Sequence, residues 1–129
     1  MHNFKELKVW KASIQLCKST FILTGTFPST ERYGLISQMS RAAVSIPSNI
    51  AEGCGRKSNK KLHQFLSIAL GSSFELETQL IIAKEFDYIS EEKLQILSIQ
   101  ITEIQKMIMV FKKVLLLDTN YLLLKNENY

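Results

Sequence analysis

Cysteine is scarce in this chain and badly spaced for chemistry. Cys17 and Cys54 are separated by 36 residues, which matches neither a CxxC redox pair nor a zinc ligand set. Both read as reduced thiols, Cys17 buried and Cys54 near a loop. Histidine is equally sparse. His2 lies in the N-terminal segment and His63 stands beside Lys60 and Lys61, so neither has a metal partner, and no metal or cofactor is expected. No run approaches the roughly 18–20 apolar residues that span a bilayer, and Met1-His2-Asn3-Phe4-Lys5-Glu6 lacks the apolar core of a signal peptide. The expected address is the cytoplasm, with no membrane partner. No alternating strand pattern or Asn-Gly hairpin occurs. Gly53 and Gly55 do not form a phosphate loop, because no strand precedes them and the GxxxxGK[ST] spacing is missing. What remains is an ordinary globular composition, 46% hydrophobic and 22% charged over 129 residues, enough for one domain with a real core.

Four amphipathic segments follow one another. In the first, Leu7, Trp10, Ile14, Cys17 and Phe21 step by three and four residues, which predicts one buried stripe on a helix from about Phe4 to Leu23. Thr24-Gly25-Thr26-Phe27-Pro28-Ser29 breaks it. Ser29 or Thr30 is the expected cap of the second helix, with Glu31 near its positive end. That helix carries Leu35, Met39, Ala42, Ile46 and Ile50 on one side. Ser58 or Asn59 caps a third, whose stripe reads Leu62, Phe65 or Leu66, Ala69, Ser72 or Ser73, Leu76, Leu80 and Ala83. Its small middle, with Ala69, Gly71, Ser72 and Ser73, suits a close approach to Ala42 and Ala43. Phe86-Asp87-Tyr88-Ile89 is a turn, and Ser90-Glu91-Glu92 opens the fourth helix. There Leu94, Leu97, Ile101, Ile104, Ile108, Phe111 and Leu115 alternate steps of three and four without a miss.

The second helix holds a proline. One face continues in register across Pro47, so the pattern predicts a single kinked helix despite the lost backbone donor, which costs about 3 kcal/mol in a helix interior. Gly53 and Gly55 are its natural stop, through the left-handed conformation that glycine tolerates. On the opposite side Gln38, Arg41, Ser45, Ser48, Asn49 and Glu52 fall within about 100° of one another on the wheel. Catalysis needs more than this line supplies. Arg41 and Glu52 lie three turns apart, and no activated nucleophile or second base accompanies them. The expected roles are structural: Ser45 or Ser48 on carbonyls freed by Pro47, Asn49 bridging helices, and Arg41 paired with Glu52 across an interface. The chain is expected not to be an enzyme.

Long helices with short connections predict an all-α, antiparallel up-down four-helix bundle over residues 1–117, followed by a tail over 118–129. The fourth helix has a second apolar line, Ile99, Met107, Val110, Val114 and Leu117, and the third adds Phe74, Ile81 and Ile82. Surplus apolar faces on two helices predict self-association, the alternative being a broad intramolecular core. Charge is uneven as well. Residues 1–61 hold ten Lys and Arg against three Glu, while residues 62–129 hold six Lys against nine acids. Arg56, Lys57, Lys60 and Lys61 cluster within six residues, and Lys5, Lys8 and Lys11 recur at helical spacing. Such clusters attract a polyanion, or simply solvate a loop and a helix start.

Leu7 through Trp10, Phe27-Pro28 followed by Glu31, Tyr33-Gly34-Leu35, Ser37-Gln38 and Arg41 through Gly53 form a recognisable series. Gly55-Arg56, Ser58, Phe65-Leu66, Ile68-Ala69, Gly71-Ser72, Glu75 through Leu80 and Ala83-Lys84 extend it. In these residues the sequence resembles the four-helix-bundle protein family, also called the 23S rRNA intervening-sequence protein family, over roughly residues 4–115. The tail from Asp118 to Tyr129 is not part of the likeness; its Leu122-Leu123-Leu124 either packs on the bundle or frays. The resemblance implies a left-handed bundle assembled as a ring-like homopentamer with a basic surface. Relatives are encoded inside insertions of bacterial large-subunit rRNA genes, and a related branch serves as an accessory subunit of retroelement reverse transcriptases. The expected function is therefore a non-enzymatic homo-oligomer that binds nucleic acid, RNA favoured, through Arg56, Lys57, Lys60 and Lys61, with Lys5, Lys8 and Lys11 in support. The alternative is a protein-interaction adaptor, such as a polymerase accessory subunit. Arg41, Pro47, Asn49, Glu52 and Gly53 are expected to be structural or interface residues.

Overall fold

The computed structural model describes residues 2–117, so the tail lies outside the described residues. Four helices account for most of it: α1 (Lys8–Thr24), α2 (Leu35–Cys54), α3 (Asn59–Glu85) and α4 (Glu91–Leu117). Short 3-10 turns at Phe4–Glu6 and Ser29–Glu31 precede α1 and α2. The chain is an all-α four-helix bundle. Side-chain hydrogen bonds join successive helices: Cys17 meets Ala43, Ser45 meets Ser72, and Gln105 meets Glu77.

Periodicity places the core on three helices where the sequence predicts it. Met39, Ala42, Ile46 and Ile50 of α2, Leu62, Leu66, Ala69, Leu76, Leu80 and Ala83 of α3, and Leu97, Ile101, Ile104, Ile108, Phe111 and Leu115 of α4 are all buried. The stripes hold except at Leu35 of α2 and Leu94 of α4, which are only partly covered. Local signals also agree at two helix starts. Ser58 accepts from the Lys61 amide at 3.1 Å and Ser90 from the Lys93 amide at 3.2 Å, each satisfying an orphan first-turn donor. The turn after α3 runs through Asp87 at φ 61°, a conformation that aspartate tolerates better than most residues.

The first helix turns a different face inward. Its buried residues are Val9, Ser13, Leu16, Thr20, Leu23 and Thr24, about 100° round the helix from the Leu7-to-Phe21 stripe. Ser13 and Thr20 can lie on that face because they donate to their own helix, to the carbonyls of Trp10 and Leu16, both at 2.7 Å. Hydroxyls satisfied in this way enter a core at little cost. Leu7, Trp10 and Cys17 pack at the edge of the core, while Ile14 and Phe21 stand exposed.

Two further expectations change. Ser29 and Thr30 form a 3-10 turn rather than a cap, and α2 starts only at Leu35. Glu31 does stand at that start, its Oε1 3.5 Å from the Leu35 amide and its Oε2 accepting from Tyr88 Oη at 2.8 Å. Gly53 does not stop α2 by turning left-handed; no glycine among the described residues has positive φ. It lies inside the helix, where an added Cβ would sit 2.8 Å from Phe65 Cβ and 2.9 Å from Leu62 Cδ1. Close approach of α3 is what demands a glycine there.

α2 continues through Pro47, which is itself buried. Pro47 has no amide, so the Ala43 carbonyl loses its intrahelical donor. Cys17 supplies a replacement from α1, its Sγ donating to Ala43 O at 3.2 Å. Of the two serines expected to do this, Ser48 is exposed and Ser45 turns to α3. Ser45 Oγ shares a hydrogen bond with Ser72 Oγ at 2.8 Å, and Asn49 Nδ2 donates to Ser45 O at 2.8 Å and to Ser45 Oγ at 2.9 Å. Asn49 thus reaches α3 only through Ser45. The α3 helix also holds an 18-residue window apolar enough for a membrane span by length and composition; a third of it is buried in this bundle, while Ile68, Phe74, Ile81 and Ile82 of the same helix stand exposed.

Candidate nucleic-acid interface

The connection between α2 and α3 is short and closed by backbone hydrogen bonds. The Gly55 amide donates to Ala51 O and Glu52 O, and Arg56 N donates to Gly53 O at 3.0 Å. Ser58 then opens α3. Four cations lie on or just after this connection, and they are not equivalent. Arg56 pairs with Glu52 at 3.0 Å and lies over the Phe65 ring, 4.9 Å from its centroid. An exposed pair of this kind contributes about 0.3–0.5 kcal/mol, so a phosphate can compete for the guanidinium. Lys57, Lys60 and Lys61 are exposed.

The N-terminal segment comes to the same place. His2 N donates to Cys54 O at 3.2 Å, and the His2 ring meets the Phe111 ring edge-on at 6.2 Å. Asn3 caps the following turn through the Lys5 amide, and Phe4 packs on Trp10 at 5.2 Å. Lys5 and Lys8 therefore lie at the end of the bundle that carries Arg56 to Lys61, and Lys11 follows one turn into α1.

Three cations were not legible from local sequence. The last turns of α4 end here too, bringing Lys112 and Lys113, with Lys106 further back. Lys112 is close enough to His63 to help hold its pKa below the usual value, burial being the larger cause. His63 therefore joins the patch as a neutral ring. The missed signal was topological. Counting charge by bundle end rather than by position in the chain, residues 1–11, 52–63 and 106–117 hold ten Lys and Arg against two Glu. Residues 18–35 and 75–103, which make the other end, hold four against eight acids. The molecule has one basic end and one acidic end.

The polar line of α2 does not assemble into a reactive site. Arg41 Nη2 donates to Ser37 Oγ at 3.1 Å, Glu52 is engaged by Arg56, and Ser45 and Asn49 belong to the α2–α3 contact. Among the described residues no three His, Cys, Asp or Glu side chains gather as a metal site. Burial pushes the Cys54 thiol up to about 11 and raises the Cys17 thiol as well, so neither is an activated nucleophile.

Much apolar surface remains outside the core. Ile81 is 50% and Ile99 60% exposed, on the two faces where the sequence shows surplus apolar residues. Phe21 and Ile22 of α1 and Val110 of α4 are exposed too. Comparison with known families matches residues 5–110 to a model described as 23S rRNA-intervening sequence protein. Comparison with curated proteins finds no match.

Proposed function

This chain belongs to the 23S rRNA-intervening sequence protein family, and from that premise we propose that it is a non-enzymatic, self-associating bundle that binds nucleic acid, RNA favoured, at its basic end. The observation that carries this reading is the meeting of three separated segments, the N-terminus, the α2–α3 connection and the end of α4, at one end of the bundle; residues 1–11, 52–63 and 106–117 together hold ten cations and two carboxylates. A field of one sign on one end steers a polyanion and holds it through phosphate contacts. RNA is favoured because the description of the family, 23S rRNA-intervening sequence protein, is consistent with an RNA association.

Self-association is supported by the exposed apolar residues on α1, α3 and α4, more than one bundle normally leaves in water. A ring of several copies would set several basic ends side by side and multiply a weak contact. The test is binding of labelled RNA at two salt concentrations, with Arg56, Lys57, Lys60 and Lys61 all replaced by Ala. Affinity that falls steeply with salt in the parent and is largely lost in the variant supports the assignment. Unchanged binding by the variant removes these residues from the site. Light scattering on the same samples reads the assembly: a monomer indifferent to RNA contradicts both parts of the proposal.

A further inference from the structure

Cations explain attraction to any nucleic acid and leave its strand class open. Beside them lies a groove of about 380 Å³ lined by Asn59, Lys60, His63, Gln64, Leu115 and Leu116. Its lining is not that of a simple phosphate cradle. Leu116, 73% exposed, offers an apolar platform, and His63 offers a flat ring. Asn59 and Gln64 carry amides that both donate and accept. A nucleobase presents the complementary surface, a flat face with donors and acceptors round its edge. In a duplex those faces are stacked and those edges paired, so only an unpaired nucleotide can use such a groove. Lys60 stands on the groove itself, and Lys112 neighbours His63, so phosphates flanking a splayed base have cations within reach.

From this juxtaposition we infer that the basic end takes single-stranded nucleic acid, with one unpaired base seated in the groove between the start of α3 and the end of α4. The inference rests on the nucleic-acid reading above and goes beyond it by naming the strand class and the base contact. Phosphate partners alone would not distinguish a single strand from a duplex. The groove supplies that distinction.

The full-length protein is titrated against a labelled unpaired RNA of about 12 nucleotides and against a duplex of the same length, each at two salt concentrations. The expected result is a preference of about tenfold for the single strand. Replacing His63 and Gln64 together with Ala lowers single-strand affinity about tenfold and leaves duplex affinity and salt slope unchanged. Gln64→Ala alone, at an exposed position, gives the same direction without touching the packed surface. Replacing Lys60 and Lys112 with Ala weakens both forms and lowers the salt slope by about 0.7 for each single-strand phosphate that is no longer neutralised. Equal affinity for the two forms, or groove variants that bind the single strand as the parent does, overturns the inference and leaves the nucleic-acid reading standing. Failure to bind either form at low salt overturns the nucleic-acid reading itself.

Discussion

Replacing Gly53 with Ala should destabilise the bundle, although alanine is the better helix former. The substitution is favoured in isolation by about 1 kcal/mol. Against this, the new Cβ meets Leu62 Cδ1 at 2.9 Å and Phe65 Cβ at 2.8 Å. The leucine methyl ends a flexible side chain and can rotate away. Phe65 Cβ is fixed to the α3 backbone, so an ordinary contact of 3.4 Å requires the two helices to part by the difference, 0.6 Å. Overpacking of this kind costs about 1–3 kcal/mol. The net loss is therefore about 1 kcal/mol, or roughly 3–5 °C in Tm for a chain of this size. Thermal melts followed by circular dichroism at fixed protein concentration measure it, the fixed concentration removing any contribution from assembly. Gly71→Ala is the internal control, because its Cβ would meet nothing within 4 Å. It should gain about 0.5–1 kcal/mol in the single bundle. A Gly53→Ala protein as stable as the parent would refute the close-packing account. Because Arg56 lies over Phe65, the same shift should also weaken RNA binding modestly.

Cys17→Ala should cost about 1 kcal/mol by leaving the Ala43 carbonyl without its donor, whereas Cys17→Ser, which keeps a donor, should cost less; urea midpoints separate the two. Ile81→Glu and Ile99→Glu place charge on exposed apolar faces and should lower the assembly mass by light scattering while leaving the helical circular dichroism intact. The folded state holds the His63 pKa below 6.5, so the unfolded chain binds the proton more readily. Its contribution is fully present above pH 6.5, falls as the pH drops through that value, and levels off below the folded pKa. Urea midpoints on either side of pH 6.5 should therefore differ more in the parent than in His63→Gln.

Where side chains outside the helix decided the outcome, local pattern misled. On α4 the apolar step is unbroken, so its core face was legible from Leu97 to Leu115, although Gln105 is buried beside it and Leu94 is only partly covered. On α1 two lines compete. Trp10, Ile14 and Phe21 are larger and more apolar than Ser13 and Thr20, yet the face with Val9, Leu16 and Leu23 packs against the other helices, and the two hydroxyls go in with it because each is satisfied on its own helix. Gly53 was visible as a special residue, but a left-handed stop and a close helix contact look the same in sequence. Only Leu62 and Phe65 across the contact distinguish them. Cys17 as partner of the Ala43 carbonyl was invisible because the two residues are 26 positions apart and the donor is a thiol.

The candidate interface shows the same division at larger scale. Arg56 to Lys61 stands out as a run, and Lys5, Lys8 and Lys11 recur with a period. Lys112 and Lys113 fall in the half of the chain that is acidic overall, so a count along the sequence assigns them to the wrong side. The topology reverses that assignment. The last turns of α4 lie against the first turns of α3, as the groove shared by Asn59, Lys60, His63 and Gln64 with Leu115 and Leu116 shows. The proline-bearing helix fixes the geometry in between. Cys17 makes good the carbonyl freed by Pro47, Ser45 joins α2 to α3 through Ser72, and Gly53 lets Phe65 close enough to sit beneath Arg56. Substitutions along that series should therefore act on the basic end through helix placement. A change at Lys57 or Lys60 acts through charge alone, so salt dependence separates the two classes: placement variants shift affinity at every salt concentration, and charge variants also flatten the slope.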